Sequence, residues 1–424
     1  MKQVPFWVDD HPRPEGLASD LPAETDYLIV GSGFTGLSAA LRLVGAGKTV
    51  AVVDTGEIAG GASGINGGMV SPDVKAGVDT VYGIYGPQIG HEMWASTVRS
   101  VELVRELATR PGFDALVHDA GMLALGKGAK KLRAFDRQVG WYREKFGVDW
   151  EVVDARDISK YVGGVSFNVG IYEPEGFGVH PARLVFGLAQ EAQRNGVVLT
   201  PHCEATSVQR APTGFVVETA QGRVRAGEVI LATNGYTTVK PSPRLAKLIV
   251  PVGSYIIVTE PLPPDLVSAV FPTEVMSYTR RRLLHYMRRT HDDRILLGGR
   301  RSLHTGLDLA DSAADLRAAL VSYWPELANV EITHVWGGKL AVPFDLTPHI
   351  GRVDGAWYAL GYAGHGVGLS CQLGHELAGM LLGEDPPSVY SRIEHKGRFY
   401  YDGKTPWFLT PASHLYRALD RSGM

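Results

Sequence analysis

Three features of the 424-residue sequence predict an α/β fold that begins with a strand, a helix and a second strand. The first is the segment DYLIVGSGFTGLSAALRLVGAGKTVAVVD at 26–54, where two apolar runs flank a glycine-rich turn. The second is VILATNGYT at 229–237, an apolar run that ends in a turn. The third is GYAGHGVGLSCQLGHELAGMLLG at 361–383, a glycine turn followed by leucines at helical spacing. Together they predict a parallel sheet covered by helices.

The elements of the opening segment follow in order. Residues 27–30 are continuously apolar, which is typical of a buried parallel strand. Apolar residues within 37–44 then recur at i, i+3, i+4 and i+7, the spacing of one helix face. Gly47 ends that helix, and residues 49–53 predict the second strand.

A G-x-G-x-x-G turn joins the first strand to the helix. Gly31 permits the tight turn, Gly33 lets the backbone approach a pyrophosphate, and Gly36 lets helix and strand pack closely. Phe34 and Thr35 begin the helix, whose first N–H groups and partial positive charge attract phosphate. The turn therefore predicts a phosphate-binding site.

An acidic residue, Asp54, ends the second strand 18 residues after Gly36. An acid at this distance can accept a hydrogen bond from a ribose hydroxyl, and it disfavours NADP. The unit thus predicts a dinucleotide site, and by itself it leaves NAD and FAD both open.

The overall composition excludes several classes of partner. A net charge of −3 gives no reason to expect nucleic acid or an anionic membrane. The two cysteines, Cys203 and Cys371, form no CxxC pair, so neither a disulfide framework nor a structural metal site is expected. We find no signal peptide or apolar run long enough to span a membrane, and we expect a cytoplasmic protein. The Pro- and charge-rich start, residues 5–22, is expected to run over the surface.

The segment after Asp54, TGEIAGGASGINGGMVSP at 55–72, contains eight Gly or Ala among its eighteen residues. It is typical of a loop that lies along an extended cofactor, whereas a nicotinamide dehydrogenase more often continues with a plain crossover helix. GSGFTGLSAAL followed by GGASGINGG resembles the D-amino-acid-oxidase-like family of FAD-dependent amine and amino-acid oxidoreductases. That family includes glycine oxidase, sarcosine oxidase and gamma-glutamylputrescine oxidase.

The resemblance continues in TSVQR at 206–210, in VILATNGYT, in VPVGSYIIVTEPL at 250–262 and in GYAGHGV. Two cofactor-facing segments near opposite ends of the chain favour FAD over NAD. The wording PVxSYxxxTEPL and GYxGHGV is most similar to gamma-glutamylputrescine oxidase.

The resemblance implies an α/β fold in which a Rossmann-type FAD-binding domain is interleaved with an α+β substrate-binding domain. The FAD-binding domain is expected at 1–80, 175–240 and 335–424. The substrate-binding domain, built on a mixed or antiparallel sheet, is expected at 81–174 and 241–334.

The residues expected to contact FAD come from the glycine turn, the 55–72 loop, the adenine strand and the two later turns. They are Gly31, Gly33, Phe34, Thr35, Gly36, Asp54, Thr55, Ala62, Ser63, Asn66, Gly67, Gly68, Met69, Val208, Ala232, Thr233, Gly235, Gly364, His365, Gly366, Val367 and Gly368. For Asn66 an Asn-Gly turn without flavin contact is the alternative.

Four residues are candidates for the catalytic site. His365 in GHG is similar to a residue beside the flavin, and His349 in LTPHIG to the segment beneath its ring; a backbone-bonded turn and a packed histidine are the alternatives. Tyr286 and Arg288 are similar to residues on the family's substrate-facing strand; the alternative is that they lie on a solvated strand face. No metal is expected.

Other arginines have weaker claims. Arg280, Arg281 and Arg282 predict a solvated loop, and Arg300 or Arg301 could reach a substrate carboxylate.

Some positions depart from the family pattern. Ile65 replaces an arginine, and Leu340 stands where amino-acid oxidases carry the arginine that clamps a carboxylate, with only Lys339 nearby. Lysine does not reproduce a bidentate guanidinium, so oxidation of a free α-amino acid is in doubt. Residues 341–343 lack the cysteine that tethers flavin in sarcosine oxidase, which implies non-covalent FAD. Leu296 occupies the position of that enzyme's oxygen-activating lysine.

These features imply an enzyme that oxidises the CH–NH bond of a small-molecule amine to an imine, which then hydrolyses. The amine is expected to be secondary or gamma-glutamylated, such as gamma-glutamylputrescine, with oxygen as acceptor and H₂O₂ as product. Two alternatives stay open: a dehydrogenase that uses a quinone or protein acceptor, and a flavin-binding subunit of a larger complex. The sequence leaves the oligomeric state open.

Overall fold

The computed structural model describes residues 1–164, 166–300 and 302–422. Its helices are α1 (Phe6–Asp10), α2 (Phe34–Gly45), α3 (Val78–Ala108), α4 (Ala129–Phe146), α5 (Pro181–Arg194), α6 (Pro243–Ala246), α7 (Pro264–Val270), α8 (Leu309–Tyr323), α9 (Gly366–Leu382) and α10 (Leu409–Ser422). Its strands are β1 (Glu24–Val30), β2 (Val50–Val53), β3 (Met69–Val70), β4 (Met122–Gly126), β5 (Glu151–Val153), β6 (Val169–Glu173), β7 (Phe177–Gly178), β8 (Val198–Thr200), β9 (Ala205–Arg210), β10 (Phe215–Thr219), β11 (Gly222–Leu231), β12 (Ile249–Thr259), β13 (Met276–Thr279), β14 (Tyr286–Arg289), β15 (Ile295–Gly299), β16 (Ile332–Pro343), β17 (His349–Val353) and β18 (Ala356–Leu360).

The first sheet confirms the predicted parallel arrangement. Its main order is β17-β18-β11-β1-β2-β8, and the pairs from β18 to β8 are parallel. The predicted opening unit is β1, α2 and β2. α2 packs between this sheet and α9. The two helices can approach so closely because residue 374 of α9 is glycine; a Cβ on Gly374 would lie 2.2 Å from the Thr35 carbonyl oxygen.

The second sheet confirms the predicted mixed or antiparallel architecture. Its order is β16-β12-β15-β14-β13-β4-β6-β5, antiparallel throughout except for the pair β13 and β4. β16, at Ile332–Pro343, belongs to this sheet, although most of it falls within the predicted FAD-binding range. The predicted domain boundaries stay predictions.

The start of the chain differs from the expectation of a surface segment. Phe6 and Trp7 of α1 are 3% and 1% exposed, and they belong to the main hydrophobic core. Lys2 bridges to His334 on β16 through backbone hydrogen bonds. The expectation was wrong for these residues because a short apolar pair within a polar stretch carries no periodic signal. Across the described residues, no helix has the length and apolar character needed to cross a bilayer.

Candidate active site

The glycine turn after β1 forms a tight backbone cradle. Gly31 has a φ of 110°, and a Cβ there would lie 2.7 Å from the Ala232 carbonyl oxygen. A Cβ on Gly33 would lie 2.8 Å from Ser63 Oγ, which accepts a 2.9 Å hydrogen bond from the Phe34 N–H. Gly36 does not face the cavity; its Cβ would lie 2.0 Å from the Gly31 carbonyl oxygen. The turn therefore has no room for a side chain at any of the three glycine positions.

Asp54 is held by the same turn. Its Oδ2 accepts hydrogen bonds from the N–H of Ser32 at 2.8 Å and from Ser32 Oγ at 2.6 Å, and Oδ1 accepts one from the Gly56 N–H at 3.1 Å. These bonds orient the carboxylate at the end of β2, where it and Thr55 line a large cavity.

The loop at residues 65–68 is anchored by its carbonyl groups. Trp336 Nε1 donates to the Ile65 oxygen at 2.7 Å, and Trp7 Nε1 donates to the Asn66 oxygen at 2.8 Å. The Asn66 side chain bonds to the loop itself, because Nδ2 donates to the Ser63 oxygen at 2.8 Å. In a trans peptide the N–H points opposite to the C=O. The Asn66 and Gly67 N–H groups are therefore directed away from their anchoring tryptophans.

Arg288 completes that anchor. Its guanidinium donates to the carbonyl oxygens of Gly68 at 3.0 Å and Val179 at 2.9 Å, and it lies 5.5 Å from the Trp7 ring centroid. The side chain is 1% exposed and is not among the described residues that line the cavity. Burial lowers its pKa to about 10, so it stays charged near neutral pH. Its observed contacts are those of a residue that positions the loop.

The second glycine turn lies beside the first. Thr35 Oγ1 and Tyr362 Oη are 2.7 Å apart, and Ser38 Oγ donates to the Cys371 carbonyl oxygen at 2.7 Å. Gly364 has a φ of 109° and leads to His365, the residue before α9. Side-chain contacts thus bring together two segments that are far apart in the sequence.

His365 lines the cavity with a buried Nδ1 that has no hydrogen-bond partner among the described residues. Burial, with smaller contributions from Lys75 and Arg280, lowers the pKa of the imidazole to about 3. The ring is therefore neutral and offers an unused polar atom to a ligand.

His349 lies elsewhere. Its Nε2 is 3.1 Å from Asp345 Oδ1, and its ring stacks on His395 at 3.3 Å between centroids. His395 Nδ1 is 2.7 Å from the other oxygen of Asp345. Burial raises the pKa of Asp345, but hydrogen bonds from the two histidines outweigh it and hold that pKa below its ordinary value. His349 is not among the described residues lining the cavity, and these contacts are those of a packed histidine joining two segments.

The cavity between the two sheets has a volume of about 1330 Å³. This exceeds the space that a drug-sized ligand needs and can accommodate an extended cofactor with a substrate. Most of the predicted cofactor contacts line it. Gly36, Gly68, Val208 and Gly235 are the predicted contacts that do not; Glu204 and Ala205, at the start of the strand that carries Val208, line the cavity instead.

One face of the second sheet forms a wall of this cavity. Side chains alternate along a strand, so every second residue faces the same side. The cavity face carries Ser254 and Ile256 on β12, Trp336, Gly338 and Leu340 on β16, Tyr286 on β14, Tyr278 on β13 and Glu173 on β6. Tyr286 lies close to the loop, because a Cβ on Gly67 would lie 2.9 Å from its ring, and its Oη is 3.2 Å from Ser254 Oγ.

Several charged residues of this cavity were not predicted from the sequence. Glu173 accepts a 3.0 Å hydrogen bond from Tyr278, and burial raises its pKa to about 8. Burial also raises the pKa of Asp73 to about 6 and lowers that of Lys75 to about 8. Arg280 is exposed and lies in a loop, as predicted, but it also lines the cavity and donates to Gln138 at 3.1 Å.

The arginine pair after β15 was a weak candidate. Arg300 lines the cavity, whereas Arg301 lies outside the described residues.

These observations define the class of protein. A glycine cradle that a Cβ would fill, a carboxylate at the end of β2, and an unpartnered buried nitrogen beside a helix N-terminus together fit a dinucleotide cofactor that reaches a substrate pocket. The family model described as FAD dependent oxidoreductase (DAO) matches residues 26–380. The chain belongs to the DAO family of FAD-dependent oxidoreductases, and FAD is its cofactor.

Similarity to known proteins extends over most of the chain. It is 31% identical over 361 residues to gamma-glutamylputrescine oxidoreductase of Escherichia coli strain K12, covering 85% of this chain and 84% of the relative. It is 29% identical over 389 residues to glycine oxidase of Pseudomonas putida, covering 86% and 97%. Glycine oxidase from Geobacillus kaustophilus shares the fold, with a TM-score of 0.75, 18% identity and coverage of 89% and 100%.

Proposed function

We propose that this enzyme oxidises the carbon–nitrogen bond of an amine, either a secondary amine or a gamma-glutamylated amine such as gamma-glutamylputrescine. The observation that carries the proposal is Leu340, which lies on the cavity wall where amino-acid oxidases of the resembled family carry their carboxylate-clamping arginine. The 31% identity to gamma-glutamylputrescine oxidoreductase supports the gamma-glutamylated class.

In the proposed reaction the amine loses a hydride equivalent from carbon and a proton from nitrogen, and the resulting imine reacts with water to give a carbonyl compound and a smaller amine or ammonia. Bound FAD supplies the two-electron acceptor. The anchored loop at residues 65–68 and neutral His365 would hold the cofactor, while Tyr286, against Gly67, would orient the substrate. Cationic Lys75, Arg280 and Arg300 favour the neutral amine, the form with a lone pair on nitrogen.

We propose that FAD is bound without a covalent bond. Both cysteines, Cys203 and Cys371, are fully buried and neither is among the described residues lining the cavity, whereas Ala341, Val342 and Pro343 do line it. Acid precipitation should release all flavin into the supernatant; flavin that stays with the pellet would contradict a non-covalent cofactor.

Oxygen is the proposed acceptor, with H₂O₂ as product. Lys75 supports this, because it places a cation in the cavity, whereas the position of the oxygen-activating lysine of sarcosine oxidase is occupied here by Leu296. The alternative acceptor, a quinone or a partner protein, is favoured by that same Leu296, which is 0% exposed and leaves β15 without a lysine at the expected position.

The test is an anaerobic titration of the purified yellow enzyme with gamma-glutamylputrescine, sarcosine, N-methyl amines, D-amino acids and L-proline. Bleaching of the oxidised-flavin band by gamma-glutamylputrescine or a secondary amine is expected. Bleaching by free amino acids alone would overturn the proposed substrate class. Air admitted afterwards should restore the band and yield peroxide; slow reoxidation would identify a dehydrogenase.

A further inference from the structure

Arg300 stands on the cavity face of the second sheet. It directly follows β15, two residues beyond Gly298, which pairs with Tyr286 on one side and Ile256 on the other. Because side chains alternate, Arg300 shares the face of Gly298. The ring of Tyr286 fills the space above Gly298, where a Cβ would lie 2.1 Å from it. Arg300 therefore lies beside the tyrosine that contacts the cofactor loop.

Among the described residues, the guanidinium of Arg300 has no hydrogen-bond or ion-pair partner. Its Nε is buried without a partner. Burial lowers its pKa, and Tyr286 is the neighbour that opposes this shift. Lys75 lines the same cavity and adds a second cation to it. Asp73, which lines the same cavity, supplies at most one negative charge against these two cations.

Two other arginines of this protein do have protein partners. Arg288 donates to the carbonyl oxygens of Gly68 and Val179, and Arg280 donates to Gln138. Arg300 is partly buried, but its Nε is fully buried without a partner, and burying an unsatisfied donor of a cation is costly unless an anionic ligand bonds to it. Arg300 has the arrangement of a binding group.

We propose that Arg300 binds a carboxylate of the substrate, in the cavity that Lys75 also lines, and so determines specificity. This rests on the proposed function, an amine oxidation in this cavity. A guanidinium can hold a carboxylate through two parallel hydrogen bonds. β15 is separated from β16, which carries Leu340, by β12. Two strand spacings amount to about 10 Å. The carboxylate should therefore be several bonds away from the reacting carbon, as in a gamma-glutamyl group, and not on the adjacent carbon of an α-amino acid.

The experiment measures binding of glutarate, a dicarboxylate that flavin cannot oxidise as an amine, and of its neutral diamide glutaramide. Each is titrated into the holoenzyme while the visible absorption of the flavin is recorded. Arg300→Gln should raise the Kd for glutarate about 10- to 100-fold, as expected for a lost charge-assisted pair of hydrogen bonds, and leave glutaramide unchanged. Arg300→Lys should recover part of the affinity, because lysine keeps the charge but not the fork.

Arg281→Gln is the matched control, since it removes one positive charge from an exposed residue at the same cavity. It should leave the Kd for glutarate within about twofold, the change expected for a screened charge. Equal losses in the Arg281 and Arg300 variants, no loss in Arg300→Gln, or no binding of glutarate to the wild type would each overturn the proposal.

The proposed function can fail separately. If no amine bleaches the flavin while glutarate binding still depends on Arg300, the reaction is wrong and the carboxylate site stands. If an amine bleaches it and glutarate binding ignores Arg300, the reaction stands and the carboxylate site is wrong. Should Arg300→Gln lose its flavin, Arg300→Lys carries the comparison.

Discussion

Gly36→Ala offers a direct test of how closely α2 approaches β1. A Cβ at this position would lie 2.0 Å from the Gly31 carbonyl oxygen, against at least 3.4 Å for ordinary contact. The start of α2 must therefore move by about 1.4 Å, the difference between these distances. Overpacking of this kind costs about 1–3 kcal/mol, and alanine returns up to about 1 kcal/mol through its helix propensity. We expect a net loss of about 1–2 kcal/mol in the free energy of unfolding.

The displacement also moves the helix N–H groups away from the cofactor phosphates, so the Kd of FAD should rise at least about tenfold. Gly45→Ala is the control, because Gly45 lies in the same helix with nothing within 4 Å of its Cβ position. That change should stabilise the protein by up to about 1 kcal/mol and leave the Kd of FAD unchanged. Urea unfolding and reconstitution of deflavinated protein measure both quantities. If Gly36→Ala matches Gly45→Ala in both, the close-packing argument is refuted.

Three further predictions concern single side chains of the site. Arg288→Met should cost about 3–5 kcal/mol in the free energy of unfolding, because it leaves the Gly68 and Val179 carbonyls without their donor; a urea midpoint equal to that of wild type would contradict this. Glu173 keeps its proton to a pH of about 8 in the folded state, against 4.5 unfolded, so this residue makes the protein less stable as pH rises from about 4.5 to 8. Glu173→Gln should remove a few kcal/mol of this pH-dependent change in the free energy of unfolding, measured by urea unfolding at several pH values. An unchanged pH dependence would show that Glu173 is already ionised in the folded protein. His365→Ala should shift the visible absorption maximum of the flavin and raise the Kd of FAD about tenfold, the loss expected for one buried hydrogen bond; identical spectra would remove His365 from the cofactor contacts.

The first sheet was predictable from the sequence because its signals are local. The signals that predict it all lie within the segment 26–54: the apolar run of β1, the glycine spacing and the helical period of α2. The glycine turn before α9 carries an equally local signal. What the sequence could not supply was which distant segments meet, since that depends on the packing of the whole chain.

The cavity charges show this limit clearly. Arg280 lies in a run of three arginines that forms the predicted exposed loop, yet it also lines the cavity because the loop directly follows β13, whose Tyr278 and Thr279 line the same cavity. The position of Arg300 beside Tyr286 depends on the register of β12, β14 and β15, which the sequence does not reveal. Trp7 was assigned to a surface segment because no pattern within the first residues links it to the Asn66 carbonyl. His349 was expected beneath the flavin, and only tertiary packing shows its contact with His395.

The wall formed by the second sheet bears on how such enzymes acquire new substrates. Backbone groups and loops of the first sheet form one side of the cavity, whereas alternate side chains of the second sheet form the opposite wall. A mutation at one wall position, such as Leu340 or Arg300, changes one point of the pocket while the strand pairing and the neighbouring core residues stay in place. Selection can therefore move a positive charge from one strand to another without rebuilding the flavin site, and substrate preference can diverge faster than the cofactor.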